Sequence, residues 1–575
     1  AASYCKNIAA GARAIKNLRL SLIGKAFSFM GKREKIVLGV LALAALGSLS
    51  WSAINFYYAH TMLVPSDGGI YSEGMVGQPT YINPLLAHQD IDLALTKLVF
   101  SGLYKYDGSG KLVPDLADGQ PSISDDQKQY TISLKRSVAW HNGKPFTADD
   151  VIFTIQTLQD PAYKSPLRSS WLSTTVEKID DYQVKFTTKD VSGPFVHNLT
   201  LPIIEKSMWE GVAPQNFVLS TANLQAVGTG PYVVREIKKL PSGKIQEIRL
   251  DSFSNYYAGK PKIDTVIAKF YDTDDDLLNA FHTKEILGLG FDTLDKNLYI
   301  DAARGDVSVL NWMLPSYQVA FFNLNNKILS DAAVRLALAQ ATDRQAIIRD
   351  VFKNNAVEPV SPLLFNDAGS ARPSEFDLEA AKKTLDGDGW TLDTKLNLRT
   401  KKGATLELTI ATNDYLLNSK AAEDLANQWR QLNIKVNLNI VPTKQLTDNL
   451  LRPRTFDVLV FPQKFDADPD LFIFWHSSQV KDPGLNLTGF NSADADRLIT
   501  QARTTTDQSA RMDLYRQLSQ SILAQHPAVF LDQTMYLYAL DSRIRNVNIG
   551  TLYDPSQRFY DLPNWYMAEK RVWKK

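Results

Sequence analysis

The chain has 575 residues, 44% of them hydrophobic and 22% charged, which suits two or three packed lobes and excludes a disordered or collagen-like chain. There are 63 basic and 62 acidic side chains, and a net charge of +1 offers no general field for nucleic acid. Cys5 is the only cysteine, which excludes an intramolecular disulfide, a CxxC redox pair and a thiolate zinc cluster.

Residues 1–35 carry eight basic side chains, opposed only by Glu34, and residues 36–59 carry no charge at all. About 20 apolar helical residues cross a bilayer core of roughly 30 Å, and Trp51, Tyr57 and Tyr58 fall where aromatic rings favour the interface. The positive-inside rule then makes 1–35 a basic cytoplasmic tail, 36–59 a transmembrane helix, and everything after residue 60 extracytoplasmic. The run is longer than a usual signal-peptide core; a cleaved signal peptide, using the small residues Ala44 and Gly47, is the competing reading. Cys5 precedes the run and so cannot be a lipidated cysteine that follows a signal peptide. Residues 11–30 have amphipathic helical character suited to the inner leaflet.

Past residue 60 the pattern changes. VPSDGG at 64–69 reads as a short linker, and GGIYSEGM as a strand. Ile91–Tyr104 has helical period, and Tyr130–Leu134 alternates like a strand. Thr147 is an N-cap for a helix through Leu158, with Asp150 completing a capping box. Ile179–Thr187 reads as one strand. Ser330 caps a long helix from Asp331 to about Phe352. Strands follow at Leu406–Ala411, Ile434–Val441 and Phe456–Phe461, the last apolar enough for burial on both faces. Helices are predicted at Ser419–Leu432, Ala493–Arg503 and Ser509–Ala524, and a return strand at Ala528–Leu540. Alternating elements without repeats predict α/β lobes with mixed sheets.

No G-x-S-x-G elbow, Walker loop, G-x-G-x-x-G or H-E-x-x-H is present, and no two of the seven His residues are spaced to share a helix face, so neither an enzyme nor a metal site is expected. Asp272–Asp276 lacks calcium-loop spacing and reads as the start of a helix.

Spaced blocks then give a resemblance. They are Gly77–Leu85 (GQPTYINPL), Leu98–Tyr104 (LVFSGLY), Leu112–Ala117 (LVPDLA), Trp140–Val151 (WHNGKPFTADDV), Gly228–Tyr232 (GTGPY) and Asn255–Pro261 (NYYAGKP). Later come Asn323–Asn325, Val334-Arg335, Ala341–Arg344, Asp468–Asp470 and Asn486–Asn491 with Asp496. In this order they resemble extracytoplasmic solute-binding protein family 5, the oligopeptide-, dipeptide- and nickel-binding proteins of ABC importers. The resemblance covers essentially all of the body and neither the apolar run nor the basic tail.

The resemblance implies a two-lobed, periplasmic-binding-protein-like fold that closes on solute like a flytrap. The first lobe is expected at 66–315 and 526–575, the second at 316–525. It implies capture of peptides or peptide-like solutes for an ABC-type permease, with no cofactor; a tethered envelope sensor or peptide chaperone using the same cleft is the alternative. In peptide-binding relatives the ligand lies extended between two strands, placed here near Gly77 and Gln78 and near Phe461–Phe465. Candidate cleft residues are therefore Gly77, Gln78, Gln463 and Phe465, with Asp466 and Asp468 just beyond. Trp312, Tyr317 and Trp475 are the aromatic candidates. Such relatives hold the peptide ammonium with an Asp three residues before the acid of the Asp-Pro step, and here that position is Phe465. Asp466 is adjacent, and neighbouring strand residues face opposite sides.

Overall fold

The charge-free run lies within one 29-residue helix, Lys32–His60, in the computed structural model, which describes residues 29–291, 305–359, 361–362, 373–465 and 470–574. The helix starts four residues before the run because the Gly31 N–H donates to Glu34 Oε2 at 2.8 Å, closing its first turn. None of its side chains is buried, so it is not a core helix. It passes directly into a strand, Thr61–Ser66, which pairs antiparallel with Ala568–Trp573 from Thr61 opposite Trp573 to Ser66 opposite Ala568. Half of the expected linker is therefore strand. Residues 568–574, expected in the first lobe, belong to the unit of the helix because of this pairing.

The second unit, Asp67–Met567, is built on an eleven-stranded mixed sheet. Its spine is two long antiparallel strands, Val307–Phe322 and Ala528–Asp541. On one flank lie Gly288–Phe291, Ile70–Val76, Thr265–Tyr271, Ile245–Ser252 and Tyr232–Lys239; on the other lie Val458–Lys464, Glu407–Asn413 and Lys435–Val441, and the short Ala356–Val357 pairs with Ala528–Asp541 off this path. Helices cover both faces of the second flank. Ala320, Phe322, Val529 and Leu531 pack with the cluster that holds Leu338, Leu425 and Trp429. Val319, Phe321 and Phe530 pack with that of Leu498, Leu518 and Ile522. This double cover is why the FDVLVF run shows no alternation. A separate four-stranded sheet, Ser122–Thr188, contains the hairpin that replaces the single strand expected over 179–187. Asp180 turns the chain there by accepting from the Tyr182 N–H at 2.7 Å.

Two further expectations are corrected. The helix predicted from Asp331 to Phe352 is two helices, Ala332–Gln340 and Arg344–Asp350. Asp331 and Asp343 each cap one, by accepting from Ala333 N at 3.0 Å and Ala346 N at 2.9 Å. Asp343-Arg344 is thus a cap and an anchor: the buried Arg344 donates to the carbonyls of Phe530 and Ser374. The helix predicted over 91–104 spans Asp90–Val99 and stops at the extended Phe100. The GTGPY loop lies against this end, where a Cβ on Gly228 would sit 1.9 Å from the Val99 carbonyl oxygen. Glycine is required here by close approach.

His141 of the WHNG block clasps the same loop. Its Nδ1 accepts from the Gly228 N–H at 3.2 Å, so its Nε2 carries the proton and donates to the Gly230 carbonyl at 2.9 Å. Burial pushes its pKa down to about 4, which keeps the ring neutral and fit for both roles. Asp150 accepts from Thr147 N, Lys206 N and Trp140 Nε1, so the expected capping carboxylate also ties three segments together.

Candidate functional site

The two spine strands slip in register between Met313 and Tyr317, leaving Leu314, Pro315 and Ser316 outside the ladder. Proline lacks the N–H that the ladder needs. The freed carbonyls are bonded from the second flank and the neighbouring spine strand: Gln533 Nε2 donates to Leu314 O at 2.8 Å, and the Phe465 N–H to Pro315 O at 2.8 Å.

Next to this break Tyr317 lies opposite Gln463 on one side and Gln533 on the other. Tyr317 is fully buried, its hydroxyl donates to Pro362 O at 3.0 Å, and burial raises its pKa. Its ring meets Phe465 at 5.2 Å and Phe530 at 5.0 Å, both edge-on; Phe465 meets Phe474, and Phe530 meets Trp475. Three of the candidate aromatics, Tyr317, Phe465 and Trp475, therefore belong to one cluster. Phe465 itself is only 7% exposed. Gln463 Nε2 and Trp475 Nε1 are buried donors with no acceptor among the described residues. A buried polar group without a partner costs about 1–3 kcal/mol.

The strand Val458–Lys464 pairs along its whole length with Ser316–Phe322. Its other edge pairs with Glu407–Asn413 only at Val458 and Leu459, and Thr412 Oγ1 reaches the Val460 carbonyl. From Phe461 to Lys464 that edge has no strand partner among the described residues. Asp466 and Asp468 lie outside the described residues.

Gly77 and Gln78 sit beyond the end of Ile70–Val76. Gly77 adopts a φ of +113°, which favours glycine, and its N–H donates to Tyr271 O. The Gln78 amide clamps the Ile245 backbone, accepting from its N–H at 2.8 Å and donating to its carbonyl at 3.1 Å. Gln78 also borders a cavity of about 330 Å³ whose lining runs from residue 78 to 285, so the cavity belongs to one flank of the sheet. Of its lining charges, Lys244 pairs with Asp272 at 2.8 Å and Glu285 with Lys269 at 3.2 Å. Trp312 lies on the other half of the spine; its Nε1 donates to Ile549 O and its ring faces Tyr536 and Tyr538. The structure thus gathers Tyr317, Gln463, Phe465 and Trp475, and places Gly77, Gln78 and Trp312 elsewhere.

Sequence reading missed Gln318, Asp532 and Gln533. Gln318 lies opposite Asp532, and both are buried, with Gln318 Oε1 and Asp532 Oδ2 lacking a partner among the described residues. Asp-Gln inside the apolar run 528–540 was the available signal. Thr273 caps Asp274–His282, as the DTDDD stretch implied. Among the described residues no group of three His, Cys, Asp or Glu side chains could hold a metal.

A mixed sheet crossed by two long strands, with a partly unpartnered edge and buried aromatics where those strands slip, defines a two-lobed binding protein. Residues 111–494 match the bacterial extracellular solute-binding proteins, family 5, and the chain belongs to that family. It is similar to the oligopeptide-binding protein AppA of Bacillus subtilis, 28% identical over 520 residues, covering 88% of this chain and 93% of AppA. The structure of AppA in complex with a nonapeptide superposes with a TM-score of 0.70 at 26% identity, covering 88% of this chain and 100% of that one. The ABC transporter substrate-binding protein CtaP of Listeria monocytogenes gives a TM-score of 0.75 at 26% identity, over 87% and 99%.

Proposed function

We propose that this chain is a membrane-anchored extracytoplasmic receptor that captures peptides for an ABC-type importer without altering them. The observation that carries the reading is the edge of Phe461–Lys464. An extended peptide can add to an edge of unpaired N–H and C=O groups as a further strand. Gln463 on that strand and Trp475 in the adjoining aromatic cluster supply two buried N–H donors, suited to a ligand's carbonyl oxygens. The relatives support the ligand class, since AppA carries a nonapeptide. The first lobe, 66–315 with the return segment from 526, and the second, 316–525, hinge at Leu314–Ser316, where the register slips.

Phe465 offers no carboxylate for a peptide amine, so recognition rests on the main chain. Calorimetry with a nonapeptide, its N-acetylated form and a form N-methylated at alternate residues tests this. The acetylated peptide is expected to bind within about threefold of the free one. The N-methylated peptide should bind at least about tenfold more weakly, because each lost main-chain hydrogen bond is worth roughly 0.5–1.5 kcal/mol. Loss of binding on acetylation would show that an acid such as Asp466 holds the amine. Equal binding of the N-methylated peptide would remove the strand-addition reading.

The anchor reading rests on the unburied apolar helix and the basic residues before it. Protease added to intact cells should digest the body and spare the residues before the helix. A protected body would place it on the wrong side for an importer receptor.

A further inference from the structure

We propose that the ribbon of Thr61–Ser66 and Ala568–Trp573, together with the aromatic end of the helix, binds anionic phospholipid headgroups at the outer face of the bilayer. This rests on the membrane-anchored reading above. The charge-free run of 24 residues is about 36 Å long as a helix, some 6 Å more than a bilayer core, so its last turn and the start of the ribbon fall at headgroup level. The two strands bring residues distant in sequence to that level. Trp573 packs against Phe56 at 6.3 Å and Tyr57 at 6.0 Å while remaining 59% exposed. Tyr58 is 54% exposed, and the Arg571 guanidinium lies 4.2 Å from its ring centre. Exposed rings of this kind favour the lipid–water boundary.

The charges are one-sided. Lys570, Arg571 and Lys574 have no carboxylate partner among the described residues, and Glu569 is the one acid of the two strands. The Lys574 ammonium donates to Ala59 O at 2.6 Å and its N–H to His60 O at 2.8 Å, so the last carbonyls of the helix hold a cation at the bilayer edge. Arg571 stands opposite Leu63 and Lys570 opposite Val64; adjacent residues point to opposite faces, so each face of the ribbon presents a cation. Aromatic rings with unpaired cations on both sides fit phosphate headgroups better than a protein surface, which would need acids on two faces.

The test uses the full chain in nanodiscs of phosphatidylcholine alone or with one-third phosphatidylglycerol, following hydrogen exchange of the amides in 568–574. Three cations on an anionic surface strengthen association roughly a hundredfold. Phosphatidylglycerol should therefore slow exchange at least tenfold, and the triple variant K570Q/R571Q/K574Q should lose that difference while Arg571→Lys keeps it. Equal exchange in the two lipids overturns the proposal and leaves the anchor intact. Protection by inorganic phosphate in phosphatidylcholine discs overturns the lipid assignment. Failure of the chain to float with vesicles of either composition overturns the anchor reading, and this proposal with it.

Discussion

Arg558→Ala should destabilise the body by about 3–5 kcal/mol, the cost of leaving a buried charge without its partner. The Arg558 guanidinium bonds Glu73 Oε1 twice, at 3.0 and 2.8 Å, and the two side chains are 5% and 1% exposed. Its Nη1 donates to Pro555 O at 2.7 Å, and the guanidinium carbon lies 4.2 Å from the Phe559 ring centre. The other oxygen of Glu73 accepts from the Tyr71 and Tyr538 hydroxyls, at 2.9 Å for Tyr538. Burial first, and then the Glu73 charge, raise both tyrosines well above their ordinary pKa, so they stay neutral donors. Removing the guanidinium strands the carboxylate with two hydroxyls and no countercharge. Glu73→Gln should cost less, since the amide keeps an acceptor. The double variant E73Q/R558A should cost much less than the two single effects added, because no unpaired ion remains. Urea unfolding midpoints check this; additive costs would show that the two residues do not act as a pair.

This pair was not legible in the sequence, since 485 residues separate its members and neither lies in a block of the resemblance. What was legible is local or repeated. Thr147 with Asp150, and Thr273 within DTDDD, are cap signals that act within one helical turn, and both hold. The continuous apolar run FDVLVF reads as a doubly covered strand because burial on both faces removes alternation, and the strand forms over Val458–Lys464. The sixteen-residue strand Val307–Phe322 was missed because Asn311, Pro315 and Ser316 interrupt its apolar pattern at the point where its register slips. The ribbon at Ala568–Trp573 was missed because its partner lies some 500 residues away. For the candidate site, family blocks found the second-flank strand, but only the coordinates placed Tyr317, Phe465 and Trp475 in one aromatic cluster. Periodicity says which residues face inward, not which inward faces meet.

Asp532→Asn should stabilise the protein at pH 8 by up to about 4 kcal/mol and leave it nearly unchanged at pH 4. Burial raises the Asp532 carboxyl from its ordinary 3.8 to about 7, against a smaller opposite effect of the Thr534 hydroxyl, which donates to Oδ1 at 3.0 Å. Because its folded pKa lies above its unfolded one, the folded protein holds this proton more tightly. The stability it contributes is full below about pH 4 and is lost as pH rises to about 7, where the folded state must bury a carboxylate. Asn keeps the shape without the charge, and its amide can donate to Gln318 Oε1 opposite it, an acceptor with no partner among the described residues. His141 works in the other direction. Its folded pKa of about 4 lies below its ordinary 6.5, so its contribution is present above about pH 6.5 and lost as pH falls toward 4. Between pH 4 and 6.5 the two slopes oppose each other and flatten the wild-type profile. Removing Asp532 should therefore expose a stability that rises with pH through that window. The two groups sit in different clusters, so the difference between wild type and variant isolates Asp532. Urea midpoints at pH 4, 6 and 8 decide the matter: a constant offset across the three would mean that the Asp532 carboxyl does not titrate in the folded protein.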